Sequence, residues 1–295
     1  MQIGIMTMQL SALIPSAPSP QSALAQISQF DFSALVRQLA SHQFNPIELG
    51  GDLVMFIPHT FAPPSIEKLA ALKQELGIEY TVHLPLWSVE PSTPLTPVRQ
   101  GSLRAVIEVI RATQSLEPKA YVLHAYGALA SEFYRMKLPE SARALILQVF
   151  HNNARDSVKT ILAETGIPSR QLAVETIEFP LEYLLALANE FDTSICFDTG
   201  HVLAGFAGDI DFWDALEKCL PRTSHIHLHD CPAYTRTREL GYGKDHQPLG
   251  KGDLDVPRFL NRLKEANFTG TIVFELTVAE ALASRQALIH TTFTS

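Results

Sequence analysis

The sequence has few cysteines, fewer basic than acidic residues, and no long apolar run. Its three cysteines, Cys196, Cys219 and Cys231, are too few and too scattered for a disulfide framework, which fits a reducing compartment. No apolar stretch is long enough to span a bilayer, and the start of the chain, before its first basic residue Arg37, lacks the positive flank of a secretory signal. We therefore expect a cytoplasmic protein without a membrane partner.

The shortage of basic residues bears on the substrate. The 295 residues include 23 Lys and Arg against 31 Asp and Glu, which gives a formal net charge of -8. A protein that grips a long nucleic acid normally presents a basic stripe to the phosphates. Because no such cluster of Lys and Arg is found, nucleic acid is an unlikely partner, and a small-molecule substrate is expected.

Strand and helix patterns alternate along the whole chain. Short apolar runs typical of buried strands are separated by segments with helical spacing; these runs end near Met6, Leu49, His83, His124, Glu175, Asp198, His227 and Glu275. Eight strands that are each followed by a helix predict an α/β fold, a (β/α)8 TIM barrel with a closed parallel sheet. No change of composition marks a second domain, so residues 1–295 are expected to form a single TIM-barrel domain.

Six of these strands end in a side chain that can bind a metal: His83, His124, Glu175, Asp198, His227 and Glu275. Active sites of TIM barrels lie at the carboxyl ends of the strands. Two further histidines, His201 and His246, join from predicted loops, and His225, His227 and His229 share one face by the period of two. A hydrogen-bonded polar core is the less favoured interpretation, because each unpaired buried polar group costs about 1–3 kcal/mol. Eight such groups exceed one divalent site and predict two or three zinc or manganese ions.

These motifs resemble the xylose isomerase-like TIM barrels, also called the AP endonuclease 2 family. The similarity spans nearly the whole chain in strand order and includes Thr-Val-His83, Val-Leu-His124, Val-Glu175, Asp198-Thr-Gly-His201, His227-Leu-His-Asp, Asp-His246-Gln-Pro-Leu-Gly and Phe-Glu275. Sugar isomerases and epimerases of this superfamily generally need only the subset Glu175, Asp198, His227 and Glu275 around one metal.

The additional histidines are similar to the three-zinc set of endonuclease IV. That resemblance implies three metal sites: His83, His124 and Glu175; then Glu175, Asp198, His227 and Glu275; and a weaker one with His201 and His246. The sequence departs from the pattern at Lys244, where endonuclease IV has an aspartate. Whether the neighbouring Asp245 replaces that aspartate is a question for the structure.

The full histidine set predicts a divalent-metal-dependent hydrolase that cleaves a phosphodiester in a small or medium-sized substrate through a metal-activated water. Glu175, Glu275 and Asp198 are the predicted catalytic residues. Tyr-Thr-Val-His83-Leu-Pro-Leu is also similar to the cobamide-remodelling phosphodiesterases, which implies a corrinoid substrate. The alternative is a sugar or sugar-phosphate isomerase or epimerase with one metal and two glutamates. A binding module without catalysis is the third and least favoured interpretation.

Predicted substrate contacts lie in loops on the catalytic side of the barrel. Arg236 and Lys244 are candidates for binding a phosphate, and solvated loop charges are the alternative. Trp87 is a candidate for stacking on a ring, although ordinary packing explains it equally well. The segments Ser11 to Gln21 and Pro232 to Asp253 are candidate lids. Glu48 either points into the site or pairs with a nearby base.

Overall fold

The computed structural model of the protein describes residues 3–9 and 27–293. Within these residues, eight parallel strands close into a barrel in sequence order, and β8 pairs with β1 to complete it. The strands are β1 (Ile3–Met6), β2 (Ile47–Gly50), β3 (Tyr80–His83), β4 (Tyr121–Leu123), β5 (Leu172–Glu175), β6 (Ser194–Asp198), β7 (Thr223–His227) and β8 (Thr271–Phe274). The predicted (β/α)8 barrel is confirmed. The candidate lid Ser11 to Gln21 lies outside the described residues.

Helices connect the strands and surround the barrel. They are α1 (Phe32–Ser41), α2 (Pro63–Leu76), α3 (Thr96–Thr113), α4 (Ala128–Arg135), α5 (Glu140–Thr165), α6 (Leu181–Phe191), α7 (Thr199–Leu203), α8 (Phe212–Cys219), α9 (Tyr234–Thr237), α10 (Val256–Glu265) and α11 (Val278–Phe293). Short 3₁₀ helices cover Gly51–Met55, Gln114–Leu116, Ser169–Gln171 and Leu220–Arg222. None of the described helices is both long and apolar enough to cross a membrane.

Local sequence explains where several helices begin and end. The Asp211 side chain accepts a hydrogen bond from the Trp213 amide at 2.8 Å and so caps α8. Helix α2 begins with two prolines and ends at Gly77, whose φ of 63° is unfavourable for other residues. The sequence analysis assigned no helix to the short segments α4, α7 and α9, which lie in the connections after β4, β6 and β7.

The hydrophobic core lies between the strands and the surrounding helices. Tyr80, Tyr121, Phe197, Phe259 and Phe274 are among its largest fully buried side chains. Each buried side chain of this size contributes about 1.5–3 kcal/mol through the hydrophobic effect. This packing fixes the strands, and thereby fixes the side chains at their carboxyl ends.

Candidate metal centre

The eight predicted metal ligands converge at the carboxyl end of the barrel. Four of them are the last residues of strands: His83 of β3, Glu175 of β5, Asp198 of β6 and His227 of β7. His124 and Glu275 follow β4 and β8 directly, His201 lies in α7, and His246 lies in the loop between β7 and α10. We refer to these eight residues as the ligand cluster. Their role in metal binding stays a prediction.

His227 lies at the centre of the ligand cluster. Its Nδ1 is 3.3 Å from Oε1 of Glu175, 3.5 Å from Oε1 of Glu275 and 3.7 Å from Oδ2 of Asp198. Two atoms that bind one metal at about 2.1 Å in tetrahedral geometry lie about 3.4 Å apart. The spacing of these donor atoms therefore fits a shared divalent cation.

Glu175 contacts imidazoles with both of its carboxylate oxygens. Its Oε2 is 2.9 Å from Nε2 of His124 and 3.3 Å from Nε2 of His83. Its Oε1 is 3.4 Å from Nδ1 of His201, in addition to the contact with His227. A carboxylate with donors on both oxygens has the arrangement of a bridging ligand.

Asp245, rather than Lys244, faces the ligand cluster. The Oδ2 atom of Asp245 is 3.0 Å from Nδ1 of His246 and 3.8 Å from Nε2 of His201. Nε2 of His246 is in turn 3.1 Å from Oε2 of Glu275. Lys244 is exposed. The Asp245 carboxylate, and not the Lys244 side chain, therefore lies beside His201 and His246.

His229 joins the cluster, although the sequence analysis gave it no metal role. Its Nε2 is 2.8 Å from Oδ2 of Asp198, and it stacks on His246 with ring centroids 4.2 Å apart. Gly200 permits this approach, because a Cβ atom there would overlap the His229 ring and the carbonyl oxygen of Asp245. The alternation of His225, His227 and His229 was the sequence signal for this position.

Backbone carbonyls fix the tautomers of three histidines. Nδ1 of His83 lies 2.9 Å from the Leu84 carbonyl oxygen, and Nδ1 of His201 lies 3.1 Å from that of Thr176. Nδ1 of His229 contacts the Asp245 carbonyl. Because a carbonyl only accepts, each Nδ1 donates, and in the neutral ring each Nε2 has its lone pair free for a metal. This is the usual orientation of metal-binding imidazoles, and the donor set fits a divalent metal.

The carboxylates and imidazoles hold each other in charged states when no cation is bound. Burial alone would raise the pKa of Glu175, but the nearby imidazoles of His124 and His227 hold that pKa well below its usual value. Burial lowers the pKa of His83 and His201, yet Glu175 raises the pKa of His83 to about 9, and Asp198 together with Glu175 raises that of His201 to about 9. A metal ion would therefore displace protons from this cluster on binding.

A cavity of about 410 Å³ opens next to the ligand cluster. It is lined by His83, His124, Glu175, His201, His246 and Glu275 together with Met6, Met8, Leu86, Trp87 and Leu276. Trp87, a predicted substrate contact, thus lies at the cavity. Arg236 and Lys244 are not among its lining residues in the described part of the chain. The Arg236 guanidinium instead forms an ion pair with Asp253 at 2.7 Å.

Comparisons with known proteins identify the fold and the family. Among solved structures, a D-tagatose 3-epimerase-like protein has a TM-score of 0.70 at 21% identity, over 99% of this chain and 97% of its own. The 3-keto-D-glucoside 4-epimerase of E. coli has a TM-score of 0.66 at 18% identity, and the D-psicose 3-epimerase of Clostridium cellulolyticum has 0.68 at 14%; both cover 99% of each chain. At such identities these likenesses show the fold alone.

Sequence comparison extends over most of the chain. An uncharacterized protein of Methanocaldococcus jannaschii is 24% identical over 267 residues, which cover 86% of this chain and 82% of that protein. Residues 36–290 match the family model described as xylose isomerase-like TIM barrel. This match confirms the resemblance seen in the motifs. The chain belongs to the xylose isomerase-like TIM barrel family.

Proposed function

We propose that this protein is a divalent-metal-dependent isomerase or epimerase that acts on a small sugar or sugar derivative. One observation carries the proposal. Two glutamates from different strands, Glu175 and Glu275, both line one cavity and both lie beside Nδ1 of His227. Asp198 lies beside the same nitrogen, so these three carboxylates and Nδ1 of His227 itself form one set of four donors. This is the set that a one-metal sugar isomerase needs.

The two glutamates suit proton transfer on either side of a substrate. A bound divalent cation would act as a Lewis acid on the substrate carbonyl. Burial raises the pKa of Glu275, but His227 and His246 lower it to about 2, so both glutamates are ionised near pH 7. One carboxylate takes a proton from the carbon beside the carbonyl and becomes a carboxylic acid, and the other returns a proton to the sugar after it has taken one from solvent water. His227 and Asp198 would help to hold the cation.

The comparisons and the cavity support this proposal. Three of the similar structures are named as sugar epimerases or as an epimerase-like protein. A cavity of about 410 Å³ lies within the range of small-molecule sites.

The phosphodiester hydrolase that the sequence favoured draws no support from the comparisons. It is the second candidate because the ligand cluster contains more donors than one cation uses. His83 and His124 lie beside Oε2 of Glu175. A further group of donors consists of His201, Asp245 and His246. Such a set favours two or more cations that activate a water for attack on phosphorus.

A metal count and a deuterium-exchange assay separate the two candidates. The isomerase proposal predicts one tightly bound divalent metal per chain by elemental analysis. It also predicts that the metal-loaded protein incorporates deuterium from D2O beside the carbonyl of a ketose or aldose in a sugar panel followed by NMR. Glu275→Gln should abolish the incorporation, because it removes one of the two proton-transfer groups.

Two other outcomes contradict the proposal. Two or more metals per chain, together with hydrolysis of bis-p-nitrophenyl phosphate that Glu275→Gln abolishes, would establish the hydrolase instead. A metal-loaded protein that neither exchanges deuterium nor hydrolyses the phosphodiester would remove both candidates.

A further inference from the structure

A buried carboxylate lies inside the barrel beneath the ligand cluster. Glu48 sits on β2 and is fully buried. Its side chain crosses the barrel interior to β7, where Oε1 accepts a hydrogen bond from Nε2 of His227 at 2.9 Å. Of the two sequence interpretations of Glu48, pairing with a base is the one that the geometry supports. The base with which it pairs is the central histidine of the cluster.

The neighbouring strands hold the Glu48 carboxylate in place. Thr81, the direct partner of Glu48 in the β2–β3 register, donates its hydroxyl to Oε2 at 2.8 Å. Nε2 of His225 lies 2.9 Å from the same oxygen, although it is poorly aligned for a hydrogen bond. Nδ1 of His225 is fixed in turn by the Thr271 hydroxyl at 2.5 Å. Glu48 therefore has contacts on both oxygens and little freedom to move.

This contact bears on which nitrogen of His227 carries the proton. Carboxylates lie beside both ring nitrogens, but Nε2 is 2.9 Å from Oε1 of Glu48, whereas Nδ1 is 3.3 Å from its nearest carboxylate oxygen, that of Glu175. Because a carboxylate only accepts, the shorter contact favours the proton of a neutral His227 ring on Nε2. Nδ1 then keeps its lone pair, and this atom faces Glu175, Asp198 and Glu275. The other cluster histidines with fixed tautomers are held by neutral backbone carbonyls. His227 differs from these histidines, because its Nε2 atom contacts the buried carboxylate of Glu48.

We propose that Glu48 is a positioning residue that holds His227 in its Nε2-protonated form and strengthens Nδ1 as a ligand for the divalent cation. The inference rests on the proposed function for the presence of that cation. A carboxylate that accepts a hydrogen bond from the ring nitrogen not bound to the metal orients the histidine. Loss of such a carboxylate typically reduces metal affinity 10- to 100-fold.

A separate buried metal site is the competing interpretation of these residues. Cys196, His225 and His227 offer donor atoms within reach of one ion. However, all three side chains and Glu48 are fully buried, and Glu48 already bonds His227 and approaches His225 closely. The hydrogen-bonded network accounts for these groups without a second ion.

The test compares metal affinity in Glu48→Gln, Glu48→Ala and the unaltered protein, by competition of Zn²⁺ or Mn²⁺ with a chromophoric chelator. The glutamine of the first variant is nearly isosteric with glutamate and keeps an acceptor for Nε2, whereas alanine removes it. We expect affinity to fall about 10-fold in Glu48→Gln and about 100-fold in Glu48→Ala. Glu90→Gln is the matched control, since Glu90 is a half-buried glutamate that accepts from the backbone amide of Leu129 and does not line the cavity. Its metal affinity should match that of the unaltered protein.

Nitrogen-15 NMR of the imidazoles provides a signature that a merely structural role would not produce. In the metal-free protein, at a pH high enough for the His227 ring to be neutral, its signal, assigned by its loss in His227→Gln, should be that of the Nε2-protonated form in the unaltered protein and in Glu48→Gln. It should shift toward a mixture of tautomers in Glu48→Ala. If Glu48→Ala fails to fold, the affinity of Glu48→Gln still decides the question.

Two results would overturn the inference about Glu48, and the second of them would also overturn the proposed function. Unchanged metal affinity in Glu48→Gln, beside normal binding by the unaltered protein, refutes the role of Glu48 alone. Absence of metal binding in the unaltered protein refutes the proposed function and this inference together.

Discussion

The cavity at the barrel mouth has two sides of opposite chemistry. One side is the ligand cluster, in which nearly every imidazole and carboxylate contacts at least one other member. The other side is more apolar: Met6, Met8, Leu86, Trp87 and Leu276 line it, together with the polar residues Gln9, Asp52, Thr277 and Glu280. The cluster is fixed by many mutual contacts, whereas the Trp87 side chain is half exposed and lies T-shaped to the Phe56 ring, with centroids 6.3 Å apart. The comparison suggests that the cluster determines the chemistry and that the apolar side contributes to substrate affinity.

The largest effect is expected from Glu175→Gln. The glutamine side chain in this variant cannot accept a proton and binds metal more weakly than a carboxylate. The rate of deuterium exchange in the preferred sugar should fall at least about 100-fold, the usual contribution of a general base. Glu178→Gln is the matched control, because Glu178 lies three residues further on and pairs with Arg135 at 3.3 Å. Equal activities of the two variants would contradict the assignment of Glu175.

The ligand cluster should also make stability depend on pH in opposite ways with and without metal. The pKa values of His83 and His201 are raised from 6.5 to about 9 by the carboxylates, so the charged imidazoles stabilise the metal-free protein fully below about pH 6.5. This contribution is lost as the pH rises through about 9, and amounts to about 3 kcal/mol per imidazole. We therefore expect the free energy of unfolding of the metal-free protein to fall between pH 6.5 and 9.

Excess Zn²⁺ or Mn²⁺ should reverse this trend, because metal competes with protons for the same nitrogens and binds better as the pH rises. Denaturant unfolding with a chelator and with metal, at a series of pH values, measures both slopes. A metal-free protein that gains stability toward pH 9 would show that the imidazoles are not held as cations.

A smaller effect is expected on the apolar side. Trp87→Ala should raise KM about 2- to 10-fold and leave kcat nearly unchanged, because an aromatic contact contributes about 0.5–1.5 kcal/mol. The other tryptophan, Trp213, is the matched control, since it packs against the Arg258 guanidinium outside the cavity. Trp213→Ala should change stability and leave KM unaltered. A large loss of kcat in Trp87→Ala would mean that this side also takes part in catalysis.

The sequence was most informative where strand geometry restricts a side chain. His83, Glu175, Asp198 and His227 were predicted together because the last residue of each barrel strand must face the same end. The alternation of His225, His227 and His229 along and just beyond β7 also indicated His229. Its place in the cluster, however, depends on contacts with the segment that carries Asp245 and His246. No local pattern encodes such a contact between distant segments.

Loop side chains were the least predictable part of the site. Arg236 and Lys244 were plausible phosphate ligands, since loops after barrel strands lie on the catalytic side. Their actual direction is decided by neighbours, such as Asp253 for Arg236. The assignment of reaction class has the same limit, because one ligand set is compatible with two chemistries. The number of metals held, rather than the identity of the ligands, distinguishes them.

The smallest effects are expected from substitutions of Lys244 and Arg236. The sharpest contrast is expected between Lys244 and the adjacent residue Asp245. Lys244 is exposed and lies outside the cavity, so Lys244→Ala should change KM and metal affinity by less than about 2-fold. Arg236→Ala should be equally mild, since it removes only an exposed ion pair. Asp245→Asn, by contrast, removes the charge of a carboxylate 3.0 Å from His246 and should lower the affinity for the divalent cation by more than either of these substitutions. Chelator competition with the three variants measures this difference. A tenfold rise in KM for Lys244→Ala would instead indicate that the lysine binds an anionic group of the substrate when the loop changes conformation.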